Sequence, residues 1–492
     1  MRIPRKNVAV FAVICLAAAG AAAHSDHAAP VHFETSCSPA AQPDFDRAMG
    51  ELHSFWAKDA IVDFKAALQR DPQCAMAYWG IAMAHQQNPL TAQQPNSPAA
   101  QEALAGLEKA RAIERKSARE RDYIDAISVI YRDADKTEFR ARRIAYEKAM
   151  EEVAKRNPDD SEAQVFYALA LQMTAPLTDK TYANQLKSAE ILERVMKQQP
   201  DHPGVAHYLI HAYDYPAIAE RGLGAARLYT KLAPEHPHAL HMPSHIFTRL
   251  GYWQESIETN IRSAAAAKAE GNGQEQAHAM DYLVHAYLQL GDEANAQRIV
   301  SESKSVGVNT QIFIGPFALA AMPARYAIER RDWKLGAALD PQPTKFSFPE
   351  AMTHYARGLG FAHLGDIESA QKESDRLQAL RDKLWSSKDT YWANQVEVQR
   401  ISVDAWIAAA RGDREEAVRR MRSAADLEDS MEKHIVTPGP IVPARVLLGD
   451  MLLELGRNDA ALAAYQAAAA REPGRRRIVE GMAKAKTSLG QR

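Results

Sequence analysis

Long apolar runs are nearly missing from this chain of 492 residues. The clearest, residues 8–19 (VAVFAVICLAAA), is too short to span a bilayer as a helix, which takes about 20 residues. It follows Arg2, Arg5 and Lys6 and precedes Ala21-Ala22-Ala23, small residues of the kind a signal peptidase cuts behind. Residues 1–23 therefore read as a secretory signal peptide cleaved after Ala23. No later run is apolar enough to cross a membrane. The mature chain is expected to be exported, periplasmic or secreted, and not membrane-spanning. Cysteine is scarce, with three in all. Cleavage removes Cys15 and leaves Cys37 and Cys74, and two cysteines in an exported protein suggest a disulfide. That bond would staple the first helical hairpin, and a loop of this size contributes about 4 kcal/mol in the chain-entropy model.

An excess of one charge is also lacking. The chain has 60 basic and 62 acidic residues, so nothing recruits nucleic acid. The stretch 471–477 (REPGRRR) is locally basic and reads as a solvated helix terminus. Extended β-branched runs are absent, as are GxSxG, a P-loop and a GxGxxG turn after a strand. Residues 24–43, polar and rich in Ala and Pro, read as a flexible leader.

From residue 44 to 490, apolar residues recur at three- and four-residue spacing, the period of helices. The expected fold class is all-α. Ala60, Phe64, Ala67 and Pro72, and later Leu448, Gly449, Ala461, Tyr465, Ala468 and Pro473, stand at the spacing of one helical-hairpin repeat. Leu250-Gly251, Leu290-Gly291, Leu364-Gly365 and Gly412 mark turns between paired helices. On these residues the chain resembles the tetratricopeptide (TPR) superfamily. The resemblance implies a solenoid of roughly ten helix pairs wound as a right-handed superhelix, in which small residues let helices approach and Pro ends the second helix. It also implies a protein or peptide partner. Residues 88–98, 306–316 and 340–349 interrupt the pattern and are expected to plug or lid a groove. A narrower resemblance lies on HYLIHAYD, LHMPSHIFTRLGYW, HAMDYLVHAYLQLG and CAMAYWGIAMAH, which are similar to segments of an exported bacterial TPR family with no assigned reaction. That implies a fold and not a function.

Histidine is the residue in surplus. Nine of the 17 fall between residues 202 and 285. His207 and His211 recur 34 residues later as His241 and His245, and Asp281 and His285 fill the same slots after 40 more. Residues four apart share a helix face, and a period near 34 is that of stacked helical hairpins. The TPR resemblance places His207, His211, His238, His241, His245, His278, Asp281 and His285 on the concave groove, with Arg325 at an equivalent position two repeats on. The central repeats, 202–291, thus carry a histidine-lined face. Imidazoles at i, i+4 can share one metal ion, and Zn or Cu suits them. His207, His211, His241, His245 and His285 are the expected ligands. The same face could instead take a polar organic or peptide ligand, or form a structural hydrogen-bond network.

Pro243 and Pro323 each follow a Met and permit two readings, a break in a groove-wall helix or a late helix start. The first functional expectation is an exported TPR-like binding or scaffold protein, more binding protein than enzyme. The alternatives are a Zn-dependent hydrolase with Asp214, Asp281 or Glu220 as base, and a copper- or zinc-handling protein.

Overall fold

A computed structural model describes residues 31–91, 94–176, 178–233, 235–342 and 344–490. The signal segment 1–23 and the first residues of the leader lie outside the described residues. Among those described, the chain forms 24 α-helices and two short 3₁₀ turns, with no strand. No helix among them is long and apolar enough to cross a membrane. Counting the two halves of one broken helix together and setting aside the last helix, Arg476–Ser488, as a cap leaves eleven hairpins. Consecutive helices pack in pairs, and the first helices of neighbouring hairpins pack on one another. This is the connectivity of a TPR-like solenoid.

The turn signals have the backbone they call for. Gly251, Gly291, Gly365 and Gly412 have φ of +76°, +76°, +80° and +88°, a left-handed conformation that costs glycine least. Small residues face large ones across the hairpins. A Cβ on Gly80 would lie 2.3 Å from the Phe64 ring, and one on Gly481 would lie 2.3 Å from Tyr465. Each ring thus fills the space its partner's missing side chain leaves.

Cys37 and Cys74 are joined, and the bond brackets the helices Gln42–His53 and Ala57–Arg70. The described part of the leader is not loose. Val31 and Phe33 are buried, and Phe33 packs against Phe45, Trp79 and Tyr123. Two apolar side chains among Ala and Pro are enough to seat an extended segment once a core is there to receive them.

The basic stretch 471–477 is likewise not a solvated terminus. Arg475 and Arg477 are buried. Arg475 is paired with Glu329 and Glu472, and Arg477 with Asp450 at 2.6 Å. The C-terminal hairpin folds back over the middle of the chain. Trp253 donates its indole N–H to Gly474 O at 3.2 Å, and Arg476 N donates to Gln289 at 3.1 Å. The superhelix is closed on itself.

Candidate metal centre

The central histidines stand on three successive first helices: Pro203–Tyr213, the broken pair Pro237–His241 and Pro243–Leu250, and Gly273–Leu290. His202 caps the first of these, its Nδ1 accepting from Val205 N, with Pro203 in the first turn. The late-start reading fails for Pro323, which lies inside the helix Ile314–Glu329; Pro243 does open the helix Pro243–Leu250, but the short helix Pro237–His241 leads straight into it. The missing N–H of Pro243 interrupts the ladder between His241 and His245, but Met242 keeps helical dihedrals and the two rings stay on one face.

Most of the ladder does not line an open groove; His211 borders a cavity, and His238 is half-buried. His207, His241, Asp281 and Arg325 are fully buried, and His211, His245, His278 and His285 nearly so. Two segments fill the concave side. The turn after the first helix brings Phe55 against His207, with ring centroids 4.5 Å apart, and onto His211 and His238. From the other end, loop 431–443 crosses the helices. Lys433 Nζ bonds Asp214 at 2.8 Å, Tyr282 donates to Thr437 O at 3.2 Å, and Arg325 donates to Pro440 O at 2.8 Å. The segment that covers the histidines is thus 431–443, and not the expected 88–98, 306–316 or 340–349. Its true signal is TPGPIVP at 437–443, with three prolines and a glycine between two helices.

Hydrogen bonds assign the ring nitrogens. A neutral imidazole has one N–H and one lone pair. His245 Nδ1 lies 2.9 Å from Asp214 Oδ2, and a carboxylate can only accept. His241 Nδ1 lies 2.6 Å from Asn260 Oδ1. Asn260 Nδ2 is spent on Ser256 O at 2.7 Å, which turns the acceptor oxygen to the ring. Ser244, at 3.4 Å, is the weaker neighbour. Both Nδ1 atoms therefore carry the proton, and both Nε2 atoms are bare. Those two lone pairs face each other at 3.0 Å. His278 completes the group, its Nδ1 buried and without a partner.

A second group forms one repeat earlier. His207 donates Nδ1–H to His53 O at 2.7 Å, so its Nε2 is bare, 3.1 Å from His211 Nε2. His211 Nδ1 and His238 Nε2 have no partner. In each triad, one nitrogen of every histidine lies within 4.8 Å of the others. Rings of the two triads are close, with His211 and His245 centroids 6.0 Å apart.

Burial, the largest cause in each case, holds His207, His211, His238, His241 and His278 well below the ordinary imidazole range. Their neighbours, mostly other histidines, push the same way, so the rings stay neutral at pH 7, the form that binds metal. Burial alone would raise the Asp214 carboxyl, but Lys433, Arg249 and His245 outweigh it and hold it well below its usual range. It stays ionised and fixes the His245 ring.

A third cluster, His53, Glu162 and His202, reads differently by the same test. His202 Nδ1 accepts from Val205 N, so Nε2–H donates to Glu162 at 2.7 Å. His53 Nε2 donates to the other carboxylate oxygen at 2.9 Å, and its Nδ1 meets Tyr208 OH at 3.1 Å. Every ring nitrogen has a partner, so this is a structural network.

His285, expected as a ligand, is in neither triad. Its Nδ1 faces Arg325 Nη1 at 3.4 Å, where only the histidine can accept, and a guanidinium repels a metal ion. Asp281 is paired with the same arginine at 3.3 Å. His238 and His278, expected on the groove but not as ligands, take the third place in each triad. Spacing along the chain would group His238 with His241 and His278 with Asp281; instead each joins the histidine pair of the preceding repeat, a contact between neighbouring first helices.

The sequence matches no family model and no curated protein. Solved structures similar to the chain include the yeast Tom70, at 13% identity over 92% of this chain and 96% of that one, TM-score 0.40. The Cut9–Hcn1 hetero-tetramer of APC/C gives 10% identity over 90% and 76%, TM-score 0.37, and the TPR domain of P58(IPK) 14% over 92% and 98%, TM-score 0.21. Likenesses of this size bear on no activity or ligand. By its own helix order and turns, the chain is an all-α solenoid of TPR-like helical hairpins.

Proposed function

We propose that this chain is an exported metal-binding protein that holds Zn or Cu in two adjacent three-histidine centres, His207/His211/His238 and His241/His245/His278. The observation that carries the reading is the pair of bare Nε2 atoms of His241 and His245, 3.0 Å apart in a buried site. Two lone pairs at that distance repel unless a cation lies between or beside them, and Asn260 and Asp214 hold the rings in this orientation from behind. Export rests on the 1–23 pattern and on the Cys37–Cys74 bond.

A hydrolase needs a free base beside the metal. Asp214 is engaged by His245, Arg249 and Lys433, Asp281 by Arg325, and Glu220 lies exposed in a 3₁₀ turn. Metal handling is thus the better-supported reading. A protein or peptide partner, implied by the repeat resemblance, would meet a surface other than the buried ladder.

Elemental analysis of untagged protein after remetallation with Zn or Cu tests this. Two equivalents are expected in the wild type and one in His241→Ala/His245→Ala, with no loss in His285→Ala. A wild type that takes up neither metal would sink the proposal.

A further inference from the structure

A cavity of about 580 Å³ opens beside the first triad, with His211 in its lining. That volume is in the range of small-molecule sites. The first turn of the helix Phe139–Arg156 also lines it, and the N-cap residue of that helix, Glu138, makes no side-chain cap. Helix N-termini favour negative charge.

Arg143, in the second turn, is the independent sign. It lines the cavity and is only 4% exposed. It donates to the carbonyls of Pro89 and Met173, and its buried Nε has no partner. No carboxylate forms an ion pair with it or with Arg140 among the described residues; both arginines line the cavity. Carbonyls satisfy its hydrogens without neutralising its charge, and a buried cation without an anion is costly. Burial, then Arg140, pushes Arg143 down to about 10, so it stays charged at pH 7. The nearby carboxylates are exposed Glu138 on the rim and Glu147, which is bonded to Thr174.

We propose that this cavity binds a small organic anion, with its carboxylate on Arg143 at the start of Phe139–Arg156 and its far end toward His211. The second half rests on the metal reading above, and the first half does not.

Calorimetry of the full mature protein, chelator-treated and cobalt-loaded, with acetate, benzoate, succinate and citrate, and with inorganic phosphate as the comparison, separates the two. At least one carboxylate should bind the metal-free protein saturably and more tightly than phosphate. Arg143→Gln should weaken it at least tenfold, and exposed Arg140→Gln about threefold with the helical spectrum unchanged. If Arg143→Gln does not fold, Arg143→Lys and Arg140→Gln carry the test. In the cobalt-loaded protein the same carboxylate should shift the visible d–d bands. Saturable binding with unmoved bands would overturn the placement toward His211. No saturable carboxylate binding, or phosphate binding as tight, would overturn the proposal. Failure to take up cobalt would remove the metal reading, and the metal-free titration would still decide the anion site.

Discussion

A single proton on each ring decides what the second triad can do. Asn260 is the residue that puts it on His241 Nδ1, through a 2.6 Å bond. Asn260→Leu should leave the ring free to turn and lower metal affinity at that triad about 10- to 100-fold, the usual loss when such an orienting partner is removed. The His207 triad should be unchanged. A chelator-competition titration resolves the two steps, and an equal fall in both would contradict the assignment. The histidines also predict how the metal-free protein responds to acid. Their folded pKa values lie below the ordinary 6.5, as for His236 and His363, pushed down to about 3 by burial, and His434, pushed down to about 4 by burial with Lys433 beside it. Below pH 6.5 the unfolded chain takes up protons that the native chain refuses. Stability is therefore full above pH 6.5 and falls with pH, by about 1.4 kcal/mol per unit for each such histidine. Denaturant midpoints from pH 7.5 to 4.5 should drop steeply. A flat profile would mean the rings protonate in place.

Helices in this chain are positioned by close approach, and Gly204 is where that matters for the site. A Cβ there would lie 2.4 Å from His53 Nδ1 and 3.0 Å from His53 Cβ. Glu162 and Tyr208 hold that ring, so it cannot yield. Gly204→Ala should cost about 1–3 kcal/mol by overpacking, despite the gain in helix propensity that alanine brings. It should also push the first hairpin off the helix Pro203–Tyr213 and disturb the bond from His207 to His53 O. A melting temperature equal to or above wild type would show that the helices have room to spare. The proline breaks are quieter: Pro243 and Pro323 remove one N–H each without turning the His241 or Arg325 side chains away from the core.

Closure of the superhelix is what buries the ladder. The N-terminal hairpin supplies Phe55 and His53, and the C-terminal third supplies Lys433, Thr437 and the REPGRRR stretch. The end that carries Phe55 is also the end the disulfide staples. Cys37→Ser/Cys74→Ser should lose about 4 kcal/mol by the chain-entropy estimate and loosen the histidine centre with it. Intact mass after alkylation of unreduced protein checks the bond directly, since two alkylated thiols would mean it is absent.

Much of the architecture was legible because it is local. A period near 34, glycines that must take positive φ after the first helix of a pair, and histidines four apart on one face are all set by the geometry of a single hairpin. So Gly251, Gly291 and the pairs His207/His211 and His241/His245 stand where their spacing places them. The leader around Phe33, the buried arginines of REPGRRR and the plug at 431–443 were not legible in this way. Their partners lie tens to hundreds of residues away, and no periodicity encodes such a contact. The same holds for the identity of the third ligands. Whether His285, His238 or His278 points into a triad depends on where Arg325 and its neighbouring repeat fall, and only the closed superhelix, by bringing a guanidinium to one imidazole and leaving the others without a partner, decides it.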